Sequence, residues 1–291
     1  MKSMALVTLV IGKRHENIYK ITNKSLSNYA KKIKADFILY DGEKYKITKA
    51  DGQKEILYST FSKKINFKNN ILGNSQISKE QLWQLYIIKK IDVVELLKKY
   101  ERIVFVDCDI IIRNDAPNIF EEVPSQMVGM YNESESFNNY RGKPIEEWCE
   151  IFNLNKSEFL HSSWDGSYYN SGVIVFSRGH KKLFNRPKFL ENKRFFEQNH
   201  LNKNIMNFKI PMYQLSHSFN RMFFIDPLVP DSRHDSFFIH YAGSWDNLEE
   251  GHAANPEYLL NLIKYDLDIF NGKIKKPEGF NIKKATLDTW W

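Results

Sequence analysis

Apolar residues along this chain follow two rhythms. Short unbroken β-rich runs occur at 4–12 (MALVTLVIG), 36–42 (DFILYDG), 102–107 (RIVFVD), 171–177 (SGVIVFS) and 236–243 (SFFIHYAG). Continuous rather than alternating apolarity is what a strand buried on both faces requires, so these runs predict the strands of a covered sheet. Between them the spacing changes to that of amphipathic helices. In ENIYKITNKSLSNYAKKI, after a polar loop, Ile18, Ile21, Leu26, Tyr29, Ala30 and Ile33 fall on one stripe. In SKEQLWQLYIIKKIDVVELLKKY, Leu82, Leu85, Tyr86, Ile88, Val93, Leu96 and Leu97 do the same, with Ser78 and Gln81 spaced as a capping box. Pro117 starts a short helix in PNIFEEV, and further helices are predicted over about 181–206 and 256–270.

The first forty residues therefore read as a β-α-β unit with a right-handed crossover. Residues 41–77 are less regular, and DGEKYKITKADGQKE suggests a hairpin insertion. Residues 131–168 are rich in Asn, Ser, Glu and aromatics, with weak periodicity. Strands alternating with helices, with no repeat or linker, predict one α/β domain over 1–260 with a basic tail over 261–291.

Composition narrows the function classes. At 291 residues the chain can bury about 75% of its unfolded surface. Aromatics are abundant, with 21 Phe, 15 Tyr and 6 Trp, which suits a site that stacks on rings as well as a core. The net charge of +7 could attract an anion, but scattered lysines and the lack of an Arg-rich run argue against nucleic acid. Two cysteines, Cys108 and Cys149, make neither a disulfide framework nor a zinc set and suit a reducing, cytoplasmic compartment. No apolar stretch reaches ~18 residues, so no transmembrane helix is expected. The tail KIKKPEGFNIKKATLDTWW mixes Lys with aromatics; a solvated tail is its simplest reading, and weak peripheral membrane contact the alternative.

The sharpest chemical signal is RIVFVDCDIII. Asp107 and Asp109 are two apart at the end of the most apolar strand, a spacing that points both carboxylates to one face. Like charges held together there are costly unless a cation neutralises them, and a hard divalent ion shared with phosphates is the natural partner. Such a pair alone is a weak signal, compatible with a capping or turn role.

Flanking motifs add to it. YYNSGVIVF (168–176), EQNHLN (197–202), HYAG (240–243) and the helix IKKIDVVELLKKYERIVFVDCD, in that relation to the Asp-x-Asp pair, resemble glycosyltransferase family 8, which includes glycogenin and bacterial lipopolysaccharide galactosyltransferases. The resemblance covers residues 4 to about 250. It implies an A-type glycosyltransferase fold, with a mixed, mostly parallel central sheet flanked by helices. It also implies transfer of a hexose from a nucleotide-sugar, UDP-linked by preference, to a carbohydrate-bearing acceptor, with retained anomeric configuration.

Residue by residue, the resemblance assigns Asp109 and His240 to a Mn²⁺ (or Mg²⁺) ion, with Asp107 on metal or ribose. Lys90 is the donor-contacting lysine, Lys89 the alternative. Asn170, Ser171, Gly172, Gly243 and Trp245 belong with the donor, and Tyr19 is the candidate to stack on the base, with Thr8 and Val10 lining that pocket. Gln198 falls near the anomeric carbon with Glu197 beside it; residues 131–168 and those beyond 245 face the acceptor. Two departures stand out: GSWDN lacks the family's phosphate-binding Lys, for which Lys13 or Arg14 could substitute, and Glu197 replaces an Asp. Two other readings stay open. One is a haloacid-dehalogenase-like phosphatase with Asp107 as nucleophile. The other is a catalytically silent nucleotide-sugar or glycan binder on the same fold.

Overall fold

The computed structural model describes residues 3–60, 89–136, 145–152, 154–160, 164–187, 196–242 and 256–277. Its centre is an eight-stranded sheet in the order β4-β3-β2-β1-β5-β8-β7-β9. The strands are β1 (Met4–Leu9), β2 (Asp36–Tyr40), β3 (Lys44–Thr48), β4 (Lys54–Tyr58), β5 (Arg102–Val106), β7 (Val128–Asn132), β8 (Tyr169–Ser177) and β9 (Met212–Gln214). A second sheet orders β10 (Arg221–Met222), β11 (Phe238–His240) and β6 (Ile110–Ile112). In the large sheet β1 pairs parallel with β2 and β5, and β7 with β9; β3 and β8 run against their neighbours. Six strands thus share one direction, the mixed, mostly parallel sheet that the family resemblance implied.

The unbroken apolarity of β1 is explained by its two faces. Ala5, Val7 and Leu9 join one core cluster with Ile91, Val93, Leu96 and Phe105. Leu6 joins the other with Leu26, Tyr29, Ala30, Val104 and Phe120. Helix α1 (Gly12–Lys32) covers this second face. It starts directly after the strand, where the sequence predicted a polar loop. Gly12 has φ +83°, a left-handed value that glycine adopts without strain, so the chain turns from strand into helix within Val10–Gly12. Lys13, Arg14 and His15 therefore form its first turn. After β2 the chain makes the β3-β4 hairpin at the sheet edge, then returns to the other side of β1 as β5. Strand order reverses at β1/β5, the place where open α/β sheets leave a crevice for ligands at their carboxyl ends.

Further α-helices among the described residues are α2 (Ile119–Glu122), α3 (Glu133–Ser136), α4 (Ile145–Phe152), α5 (Lys156–Leu160), α6 (Phe196–Phe208) and α7 (Pro256–Phe270). Asn118 caps α2 by accepting from Phe120 N at 3.1 Å. Within 131–168, where periodicity was weak, Trp148, Phe152, Phe159 and Tyr168 build their own aromatic cluster. Its register is irregular because the pieces are short and bury rings rather than stripes. β7 escaped the sequence reading for a related reason: a five-residue strand carrying Gly129 and Asn132 has no apolar run, yet all five residues are buried. The helix predicted over 181–206 is instead a 3-10 segment, Arg178–Phe184, and α6, with 188–195 outside the described residues. Ser78, Gln81 and the apolar positions 82–88 also lie outside them; residues 89–98 continue helically into β5. Among the described residues no helix is long and apolar enough to cross a membrane.

Candidate active site

Strand β5 ends at Val106, so Asp107 and Asp109 are not on a strand face. They converge through a tight turn in which Ile110 N donates to Asp107 O at 3.2 Å, while Asp107 N donates to Gly172 O at 2.8 Å. Thr22 of α1 donates to Cys108 O at 2.8 Å and pins the turn from the helix side. On the opposite side Tyr241 N donates to Asp109 O at 3.1 Å, and His240 stands opposite Ile110 in the β11-β6 register. The turn and β11 bring three ligand-bearing groups together. His240 Nε2 is 3.5 Å from Asp109 Oδ1 and 3.9 Å from Asp107 Oδ2, and one ligand atom from each residue lies within 4.8 Å of the others.

The imidazole tautomer is set by a neighbour the sequence did not reveal. His240 Nδ1 donates to Asn220 Oδ1 at 2.7 Å, and Asn220 is oriented in turn because its amide donates to Asn170 Oδ1 at 2.9 Å. With Nδ1 carrying the proton, Nε2 presents its lone pair to the two carboxylates, the arrangement a histidine ligand needs. Two carboxylate oxygens and one imidazole nitrogen suit Mn²⁺ or Mg²⁺ better than a thiophilic ion. Gly172 makes room for this ring: a Cβ there would lie 2.2 Å from His240 Cε1. The glycine in YYNSGVIVF is thus dictated by the histidine across the site.

A second layer of polar groups surrounds the triad. Lys90, 1% exposed, donates to both oxygens of Asp107 at 3.0 and 3.2 Å and to Ser171 Oγ at 3.3 Å, and lies 3.7 Å from Glu197 Oε1. Its neighbour Lys89 points elsewhere, to Asp92 at 3.7 Å, which separates the two lysine candidates. Burial pushes the Asp107 carboxyl up from its ordinary value, Lys90 pulls it down, and Asp109 pushes it up again. A divalent cation would relieve that like-charge repulsion.

Glu197 Oε1 accepts from Ser171 Oγ at 2.9 Å, whereas its Oε2 is buried with no hydrogen-bond partner. Gln198 is held at both ends of its amide: Oε1 accepts from Ser171 N at 3.1 Å and Asn170 at 3.2 Å, and Nε2 donates to Glu133 at 3.1 Å. The structure makes Gln198 a strut of the site wall. Asn202 completes the wall by exchanging hydrogen bonds with the backbone of Tyr169 at 2.7 and 2.8 Å.

Glu133 is the other residue the sequence concealed, because it follows the unrecognised strand β7. It accepts from Asn170 at 2.6 Å and from Gln198, yet burial raises its pKa from 4.5 to about 7. A raised carboxyl favours the folded state below pH 4.5 and loses that contribution as pH climbs through 7. Between those limits the wild type should lose roughly 3 kcal/mol relative to Glu133→Gln. Denaturant titrations of both proteins across this range check it; a pH-independent difference would be the opposing result.

The base-side candidates fare differently. Thr8 is fully enclosed, two residues below the strand rim, and its Oγ1 has no hydrogen-bond partner, so it packs in the core and does not line a pocket. Val10 lies at the rim, 7% exposed. Tyr19 packs against the second core cluster and donates to Asn23 at 2.9 Å, with burial raising its pKa to about 12. His15, in the first turn of α1, donates Nδ1 to Ile11 O at 2.8 Å and lies within electrostatic reach of Asp109 and Asp107. Gly243 and Trp245 lie outside the described residues. Asp165 forms an Asx turn, accepting from Ser167 N at 2.9 Å around Gly166 at φ +90°.

The galactosyltransferase LgtC, solved in complex with donor and acceptor sugar analogs, matches over 94% of this chain and 98% of its own, at TM-score 0.50 and 14% identity. The fold is that of the A-type glycosyltransferases. At that identity the likeness establishes the fold alone. The bifunctional glycosyltransferase WbbM matches 93% of this chain at TM-score 0.49 and 14% identity, and this chain spans 51% of WbbM. A glycosyltransferase involved in glycosylation of the major capsid of PBCV-1 matches 89% of this chain and 99% of its own, at TM-score 0.49 and 12% identity. At these scores neither carries the argument further. No protein-family model and no curated protein sequence matches the chain.

Proposed function

We propose that this protein is a metal-dependent glycosyltransferase that transfers a hexose from a nucleotide-sugar, UDP-linked by preference, to a carbohydrate-bearing acceptor with retention of configuration. One observation carries the reading. Asp107, Asp109 and a His240 whose tautomer is locked for ligation converge at the carboxyl end of β5, beside the sheet's switch point. These three residues would hold Mn²⁺ (or Mg²⁺), which when bound neutralises a diphosphate and stabilises the departing nucleotide.

The chain's own groups have distinct tasks. Lys90 orients Asp107, opposes the upward pull of burial on its pKa, and adds positive charge beside the leaving group. The unpartnered Glu197 Oε2 accepts a hydroxyl of the donor sugar, which satisfies an otherwise costly buried oxygen. Ser171 and Asn170 fix Glu197 and Gln198 so that this wall does not yield. The first turn of α1, with Lys13 and Arg14, supplies positive charge on the side of the aspartates in place of the lysine missing after Gly243, while burial lowers the pKa of His15 and disfavours its charged form. The aromatic cluster within 131–168 is proposed to face the acceptor.

The phosphatase alternative is disfavoured because both oxygens of Asp107 are held by Lys90. Incubation with Mn²⁺ and a panel of UDP-, GDP- and CDP-sugars, with release of free nucleotide as readout, tests the proposal. Release from one donor, lost in Asp109→Asn, is expected. Binding of a donor with no release in the presence of acceptors would instead identify a silent binder. Phosphate trapped on Asp107 would mark a phosphatase.

A further inference from the structure

Behind the triad lies a buried charge cluster that none of the chemistry above uses. Arg221 and Arg233 are 1% exposed, Asp266 and Tyr241 not at all, and His234 and Asp226 are also buried. Arg221 Nε donates to Asp226 at 2.7 Å, and a second guanidinium nitrogen donates to Asp231 O at 2.8 Å. Asp266, on α7, accepts from Tyr241 Oη at 2.7 Å and from His234 Nε2 at 2.8 Å. The Arg233 guanidinium makes no hydrogen bond. It stacks 4.1 Å over Phe223 and 5.5 Å from Tyr241, with its charge balanced by Asp266 at 3.4 Å and Asp226 at 3.6 Å.

Burying two arginines and two aspartates is a poor way to gain stability, because desolvation offsets most of their attraction. Such clusters make more sense as devices that fix geometry. The chain positions of these residues say which geometry. His240 has two handles. Its ring is held by Asn220, and the next residue is Arg221. Its backbone is continued by Tyr241, whose N–H holds Asp109 O and whose hydroxyl reaches Asp266. One charge cluster therefore sits directly behind both handles, and Tyr241 links two of the three candidate ligands to the C-terminal helix.

We propose that Asp266 and Tyr241 are positioning residues for the metal site, with α7 clamping the His240–Asp109 geometry through the Asp266–Tyr241 hydrogen bond. This rests on the metal-site reading given above. It also places Asp266, from beyond residue 260, within the functional unit.

The test uses the full-length protein and Mn²⁺ alone as probe, its binding followed by electron paramagnetic resonance. Tyr241→Phe removes one hydroxyl and leaves the ring over Arg233, so it is the cleaner variant; Asp266→Asn also unbalances Arg233 and should melt earlier. Measured well below the melting transition of each protein, both should weaken Mn²⁺ binding by about 10-fold or more, the range seen when groups supporting a ligand are lost. The double variant should lose little beyond the worse single one, because both act through one hydrogen bond. Metal-free UDP binding should not change, which separates positioning from general damage. Wild-type Mn²⁺ affinity retained in folded Tyr241→Phe and Asp266→Asn would overturn the proposal. Wild-type protein whose Mn²⁺ binding is indifferent to Asp109→Asn would overturn the metal-site reading itself.

Discussion

Asp109→Asn is expected to lower nucleotide release from the preferred donor by on the order of 10³-fold, with Mn²⁺ binding reduced at least ~100-fold. The reasoning starts from charge. Asp109 is nearly buried and faces His240 Nε2 at 3.5 Å, beside a second carboxylate, Asp107, with which it shares a like-charge repulsion that a bound cation would relieve. An amide keeps the shape and removes the charge, and several kcal/mol of leaving-group stabilisation go with it. Calorimetric Mn²⁺ titration beside a nucleotide-release assay checks both parts. A variant with full Mn²⁺ affinity and full release would place the metal elsewhere.

Gly172→Ala should be nearly as damaging through a different route. The added methyl would lie 2.2 Å from His240 Cε1 and 2.7 Å from its Nδ1, closer than atoms tolerate, and 3.0 Å from Asn170 Oδ1, a tight contact. β8 is buried along its whole length and paired with both β5 and β7, so the backbone has little room to retreat. The ring must move instead, breaking its hydrogen bond to Asn220 and carrying Nε2 away from the aspartates. Overpacking of this kind costs about 1–3 kcal/mol in stability. The account predicts a modest fall in melting temperature, a large loss of Mn²⁺ affinity, and near loss of nucleotide release. A folded variant that binds Mn²⁺ normally would show that His240 is not a ligand.

How much of this was legible in the sequence depended on length and repetition. β1, α1, β2, β5 and β8 announced themselves because each is long enough for an apolar run or stripe to rise above composition. β7 and β9 did not, since short strands inside a covered sheet need only a few buried positions and tolerate Gly129 or Asn132 among them. Missing β7 meant missing Glu133, which sits one residue past its end. Asn220 escaped for another reason: it is remote in sequence from His240 and meets it only through the β10-β11 pairing. The Asp-x-Asp pair was read for a partly mistaken cause, since its carboxylates converge through a turn and not through strand alternation. Gln198 illustrates the limit of motif reading: its neighbourhood was anticipated, but only the hydrogen-bond pattern shows its amide committed to Ser171, Asn170 and Glu133. His217 and His234, which offered no useful spacing in sequence, turn out to pair with Asp231 and Asp266.

The most direct test of the central claim is anomalous scattering at the manganese edge from crystals grown with Mn²⁺ and UDP. The account predicts a single strong peak roughly 2 Å from an oxygen of Asp109 and from His240 Nε2, with Asp107 and the UDP diphosphate adjoining it. UDP clearly bound with no peak at that position, or a manganese peak away from these three residues, would contradict it.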